Sequence, residues 1–131
     1  LPGLLASDRT RLEDFVAAGY PAEGHRLSKF THGSGTEHGP DRCVRRVGQH
    51  VRYTLSSPPG AKRLRVECAG SGRLRVTAGG RTLADREWDR GADWGFEETA
   101  FVSPGDTLDV RFDRVSGDTP EIRMIYLLRE A

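Results

Sequence analysis

The 131-residue chain has few cysteines, few lysines and a single methionine, and each shortage narrows what it can be. Two cysteines, Cys43 and Cys68, are too few for the disulfide framework of a small secreted scaffold. Whether they pair depends on whether the fold brings their segments together. Among the 20 basic residues only Lys29 and Lys62 are lysine, a skew that reads as genomic composition. The net charge is only +1, so no global field draws the chain to nucleic acid or to an anionic membrane. No apolar run approaches the roughly 20 residues that span a bilayer. The opening LPGLLASDRT lacks the basic and long apolar regions of a signal peptide. A first residue of Leu1 reads as a processed product or a piece of something longer.

Motifs of reactive chemistry are missing as well. His25, His32, His38, His50, Glu37 and Cys43 carry the right donors for zinc, but neither HExxH nor CxxC is present, so no metal site is assigned. Ser34 in HGSGT lacks the GxSxG elbow that exposes an activated serine. Cys68 alternates with Leu64 and Val66 and reads as core. Glu97 and Glu98 are adjacent, so on a strand they point to opposite faces and cannot flank a glycosidic bond. No glycine-rich loop ends in GK[ST]. An enzyme using the His/Cys stretch over 25–50 is the weakest of three readings, and no catalytic residue is assigned.

What the chain does have is period two. HVRYTL, RLRVEC, RLRVTA and TLDVRF each alternate apolar with polar residues, the pattern of strands with one buried face. EIRMIYLL is apolar on both faces from Met124 to Leu128 and reads as a central or doubly covered strand. SSPPG, AGSG, AGG, SPGD and SGDTP punctuate these runs with turn chemistry. Short strands with turn signals every 8 to 12 residues or about that predict an all-β, antiparallel sandwich. RLRVECAGSGRLRVTAGG looks like a hairpin around AGSG, followed at once by a second turn. The N-terminal part is irregular in pattern: RTRLEDFVAAG allows a short helix with Leu12, Phe15 and Val16 on one side, GHRLSKF a first strand, and THGSGTEHGP only a loop. Residues 85–98 form a second irregular stretch before a strand at ETAFVS. The whole, 1–131, is expected to be one domain, with 1–20 as a linker or packing segment.

Three kinds of surface chemistry remain. The outward strand positions carry Arg52, Arg63, Arg65, Arg73, Arg75, Arg111 and Arg123, but Glu67, Asp109 and Asp113 share those positions, so cross-strand ion pairs are expected and a nucleic-acid face is not. Asp85, Asp89, Asp93, Asp106 and Asp118 are expected in loops and leave room for a structural calcium, without an EF-hand pattern. Trp88 and Trp94, with Tyr20 and Phe96, are the aromatic group from which a sugar-stacking platform would be drawn. The competing account of Trp88 is that it ends a strand and packs inward.

The order of EGHRLS, SGTEHG, GQHVRYTL, PPGAKRLRVECAG, RLRVTAGGRTLADREW, FEETAFVSPGDTLDVRF and IRMIYLLRE resembles the C-terminal β-sandwich domain of bacterial β-L-arabinofuranosidase-like glycoside hydrolases. Glu23, His25, Leu27, Ser34, Gly35, Gly39, Arg42, Tyr53, Leu55, Gly80 and Leu83 fit that pattern, which spans 20–130. The chain departs from it at Asp41-Arg42-Cys43 and Gly48-Gln49-His50, where the family shows Trp-Arg and Gly-Gly-Trp or Gly-Gly-Phe. The resemblance implies a jelly-roll, galactose-binding-like module whose catalytic residues lie elsewhere, and therefore a non-enzymatic accessory role. Its partner would be a carbohydrate, or a catalytic domain of the same parent, and neither nucleic acid nor membrane. Trp88, Trp94 and Tyr20 are the stacking candidates, with Arg42 and His25 as partners for hydroxyls or carboxylates. The rival is a structural module that packs on a catalytic domain or forms a dimer without a ligand.

Overall fold

The computed structural model describes residues 3–18, 29–38 and 44–130. Among them nine antiparallel strands follow a single four-residue helix, α1 (Ala6–Arg9). They are β1 (Leu12–Ala17), β2 (Lys29–His38), β3 (Arg45–Ser56), β4 (Gly60–Ala69), β5 (Ser71–Ala78), β6 (Arg81–Asp89), β7 (Gly95–Ser103), β8 (Thr107–Ser116) and β9 (Glu121–Arg129). The hydrogen-bonded order is β6-β5-β8-β3-β9-β4-β7, with β2 also on β3 and β1 also on β9. The ladder folds on itself at β3. Arg45 and Arg46 pair with Ile122 and Glu121 of β9, whereas His50 to Ser56 pair with β8. Two layers result, and the inward residues of both meet in one core that includes Val51, Tyr53, Leu64, Leu74, Phe112 and Ile125.

The alternation expected for HVRYTL, RLRVEC, RLRVTA and TLDVRF is present in β3, β4, β5 and β8. β9 is covered on both faces, as its composition implies. Ile122, Ile125 and Leu127 join the main core. Met124, Tyr126 and Leu128 face the other way, where Leu4, Leu12 and Phe15 pack over them. The arginine-rich outward positions are paired, as expected. Arg52 meets Asp109 at 2.6 Å, Arg73 meets Asp85 at 2.7 Å and Arg123 meets Glu67 at 2.8 Å, each across neighbouring strands.

Several local expectations are corrected. Leu12 to Ala17 form strand β1, not a helix, and α1 is the only helix among the described residues. Pairing with Met124 to Leu128 of β9 overrides a helical spacing that Gly19 and Pro21 would have cut short. Asp14, fully buried, accepts the Ser56 amide at 2.8 Å and so ties β1 to the end of β3. The supposed loop at 31–40 contains most of β2, which pairs along β3 with register shifts at Phe30/His32 and Ser34/Thr36. Backbone pairing requires no apolar side chains, and glycines beside register shifts are common in such strands. Of GHRLSKF, only Lys29 and Phe30 fall within the described residues. The stretch 85–98 is mostly strand too, since β6 runs to Asp89 and β7 starts at Gly95.

The expected hairpin around AGSG is absent. β4 pairs with β7 and β9, while β5 pairs with β6 and β8, so the chain crosses from one layer to the other at Gly70. The turn that follows at Gly79 and Gly80 does close a hairpin, β5 to β6. The crossover needs glycine at Gly72. Its φ is +134°, and a Cβ there would run into the backbone carbonyls of Asp118 and Ser116, which no side-chain movement can relieve.

The N-terminal segment is held over β9 by Arg65. Its guanidinium donates to the Gly3 carbonyl at 2.6 Å, to Asp8 Oδ2 at 3.0 Å and to Glu98 Oε2 at 3.0 Å. Beneath the start of β1, Lys62 is 2% exposed and donates to Glu13 Oε1 at 2.7 Å. A buried ammonium of this kind depends on its carboxylate.

Two measurements test this architecture. Gly72→Ala should cost roughly 3 kcal/mol or more in thermal or denaturant unfolding, whereas Gly79→Ala, at φ +57° with open space around it, should cost about 1 kcal/mol. Equal costs would contradict the crossover. The Arg65 hydrogen bond, aided by the Leu5 amide, holds the Asp8 carboxyl below its ordinary 3.8. That contribution to stability is complete above the ordinary value and disappears as pH falls through the lower folded value. The Leu5 amide resonance, which reports Asp8 Oδ2 at 2.9 Å, should titrate below 3.8; a midpoint at or above that value would contradict the tether.

Candidate functional site

The candidate residues fall into two environments. Trp88, near the end of β6, is 5% exposed and belongs to the main core. It lines a cavity of about 20 Å³ with Leu64, Val66, Leu74 and Val76, room for about one water and none for a sugar ring. Arg86 of β6 and Glu97 of β7 close this seam from outside, at 3.2 Å. Trp88 is thus corrected from a stacking residue to a core residue. The reason is parity: on β6 it takes the inward position beneath the edge of the sandwich, and its neighbours Glu87 and Asp89 take the water.

Trp94 is placed differently. It sits in the turn between β6 and β7, which is tied to the crossover by Gly70 N to Gly91 O at 2.7 Å and Arg90 N to Gly70 O at 3.0 Å. The ring is half-buried, and the Arg123 guanidinium lies 4.1 Å from its centroid, a cation–π contact. Arg123 is itself fixed by Glu67, whose two carboxylate oxygens each accept a guanidinium hydrogen bond at 2.8 Å. Glu67 is only 3% exposed. The row Glu67, Arg123, Trp94 therefore runs from a buried carboxylate outward to an aromatic ring, and its members hold one another in orientation.

Chain connectivity brings other candidates toward this end. β1 is followed by Ala18, whose amide donates to the Arg123 carbonyl at 2.7 Å. The chain returns at Val44 and enters β3 at Arg45, opposite Ile122. Arg45 Nε and the Tyr53 hydroxyl both donate to the Ala18 carbonyl, at 3.4 and 2.8 Å. Burial pushes the Tyr53 phenol up, so it stays a neutral donor. Tyr20, His25 and Arg42, like Cys43, lie outside the described residues.

No group of three or more His, Cys, Asp or Glu side chains suited to a metal occurs among the described residues. Two of the five aspartates expected in loops, Asp89 and Asp85, are in β6, and Asp85 is engaged by Arg73 and Arg75. The hydrogen bond from Arg73 leads the effects that hold its carboxyl below the ordinary range. Cys68 is a free, buried thiol, pushed up to about 11 chiefly by burial, the opposite of what a nucleophilic thiolate requires. Sequence reasoning missed Arg123 and Glu67 as partners of Trp94. Their adjacency arises between strands 56 residues apart in sequence, and no local pattern signals it.

With this geometry in place, the comparisons with solved structures are informative about fold. A family 35 carbohydrate-binding module from Clostridium thermocellum aligns with a TM-score of 0.58 at 13% identity, covering 76% of this chain and 91% of that one. The family 35 module from Paenibacillus barcinonensis gives 0.58 at 14%, over 85% and 98%. The fold is that of family 35 carbohydrate-binding modules. A β-(1,4)-mannanase of Podospora anserina that carries such a module gives 0.58 at 16%, covering 91% of this chain and 28% of the enzyme. No family model and no curated protein matches the sequence. Identity this low establishes shared architecture alone: the sandwich predicted by the strand pattern, in the jelly-roll form that the resemblance implies.

The two tryptophans should separate in solution. Iodide should quench the emission of the Trp88→Phe variant, which keeps Trp94, and should barely quench that of Trp94→Phe; the reverse order would refute the assignment of inside and outside. Arg123→Ala leaves the Glu67 carboxylate buried without its guanidinium and should cost roughly 2 to 4 kcal/mol in unfolding free energy.

Proposed function

We propose that this chain is a non-catalytic carbohydrate-binding module of a glycoside hydrolase, with its ligand site at the end of the sandwich marked by Trp94. The observation that carries the proposal is the match of a nearly complete module fold to family 35 carbohydrate-binding modules. A fold that does not specify chemistry can still host it in its loops, and the Trp94 end offers what a sugar needs. Trp94 provides an aromatic face for C–H groups, held in place by Arg123 and Glu67. Ala18 and Val44, the described residues nearest in sequence to Tyr20 and Arg42, lie at this same end. Tyr20 as a further stacking ring, and His25 and Arg42 as hydroxyl or carboxylate partners, complete the proposed site. Residues 1–131 act as one module in this reading, with the first 20 as its packing segment. The sequence resemblance to β-L-arabinofuranosidase-like hydrolases makes an enzyme of that type the proposed parent, and arabinose-containing glycans the first ligands to try.

A second reading, in which the module packs on a catalytic domain without binding sugar, is favoured by one observation. Leu5 is 72% exposed and Phe96 39%, and both are large apolar residues at the N-terminal segment, where Gly3 abuts the Phe96 ring.

Titration with arabinose- and galactose-containing oligosaccharides decides between them. Under the first reading tryptophan emission changes saturably, Trp94→Ala abolishes binding, and Trp88→Phe retains it. A silent titration at millimolar sugar, together with concentration-dependent association that Phe96→Ser removes, would favour the second.

A further inference from the structure

At the end of the sandwich away from Trp94, the layers part between β6 and β7 and leave an open groove of about 530 Å³. That volume falls in the ~300–1,000 Å³ range of small-molecule sites. Its floor is buried Ala78 and Leu108. Its apolar walls are Leu83, Phe101 and Pro104, while Val102, next to Phe101 on β7 and so turned to the opposite face, borders it only at the rim and is 68% exposed. Arg81 and Thr82, at the start of β6, supply the polar side.

Arg81 is the exception among the arginines of the described strands. The others have a carboxylate, carbonyl or further partner, as with Arg52, Arg86, Arg111, Arg114 and Arg129, whereas Arg81 has none among the described residues. A lone guanidinium beside apolar walls is complementary to one planar monoanion, which its fork can hold with two hydrogen bonds. A dianionic phosphate would leave one charge unmatched against Leu83 and Phe101. The Phe101 ring and the flat apolar walls suit a planar body behind the anion.

We propose that this groove is a second binding site, separate from the Trp94 end, for a small aromatic monocarboxylate whose carboxylate meets Arg81 and whose ring lies against Phe101 and Leu83.

The experiment is a nitrogen-15 NMR titration of the full chain with trans-cinnamate, using cinnamyl alcohol as its uncharged counterpart. Cinnamate should shift the amides of Thr82 and Val102 saturably at millimolar concentration, and the alcohol should bind at least about tenfold more weakly, as expected when a charged hydrogen bond is lost. Arg81→Gln, an exposed substitution that leaves the core untouched, should weaken cinnamate by a similar factor and leave the alcohol unchanged. Phe101→Leu, which keeps the wall apolar but removes the flat ring, should weaken both. No saturable shift, shifts confined to other surfaces, or equal binding by Arg81→Gln would each overturn the proposal. So would concentration-dependent dimerisation removed by Val102→Ser, which would assign the groove to a second copy. Oligosaccharide binding at Trp94 is read separately, through tryptophan emission, so either site can fail alone.

Discussion

The structure depends on burying both faces of β9. Six of its nine residues are buried, and a strand of that composition is stable only when both of its faces are covered. The inner face is satisfied by the opposite layer. The outer face, with Met124, Tyr126 and Leu128, is covered among the described residues by Leu4, Leu12 and Phe15. The N-terminal segment is therefore part of the fold, and the role of Arg65 follows. A short helix of four residues has little stability of its own, so α1 is held by the hydrogen bonds that Arg65 makes to Gly3 and Asp8.

The same economy of charge shapes the rest of the surface. Most strand arginines are spent on neighbours: Arg73 and Arg75 on Asp85, Arg63 and Arg65 on Glu98, Arg123 on Glu67. Pairs as exposed as Arg73 with Asp85 contribute little to stability. Their effect is to remove the basic face that the arginine content alone suggests, and to make departures from pairing informative. Arg123 uses one side for Glu67 and presents its plane to Trp94. Arg81 has no carboxylate among the described residues and borders an apolar groove. These two arginines, at opposite ends of the sandwich, mark its two distinct surface chemistries.

Strand existence was legible from period two because alternation records a property of each strand by itself: one face meets oil and the other meets water. Val51, Tyr53 and Leu55 on β3, and Leu108, Val110 and Phe112 on β8, are buried as that pattern requires. The double burial of β9 was legible for the same reason, as was the demotion of Cys68 to the core. β2 was not legible, since Gly33, Ser34 and Gly35 carry no apolar alternation and the strand is defined by its backbone pairing with β3.

The sequence by itself determined an all-β, turn-punctuated sandwich with paired outward charges. Tertiary structure decided which strands are neighbours, because pairing joins segments far apart in sequence and leaves no local periodicity. It sent the chain across layers at Gly70 and Gly72, where similar flanking runs suggested a hairpin. It also separated two tryptophans that are six positions apart. Trp88 lies on the inward side of an edge strand, whereas Trp94 lies in the following turn beneath Arg123. Their chemistry is the same, but Trp88 is closed in by Leu64, Val66, Leu74 and Val76, whereas Trp94 is left half-buried beside Arg123.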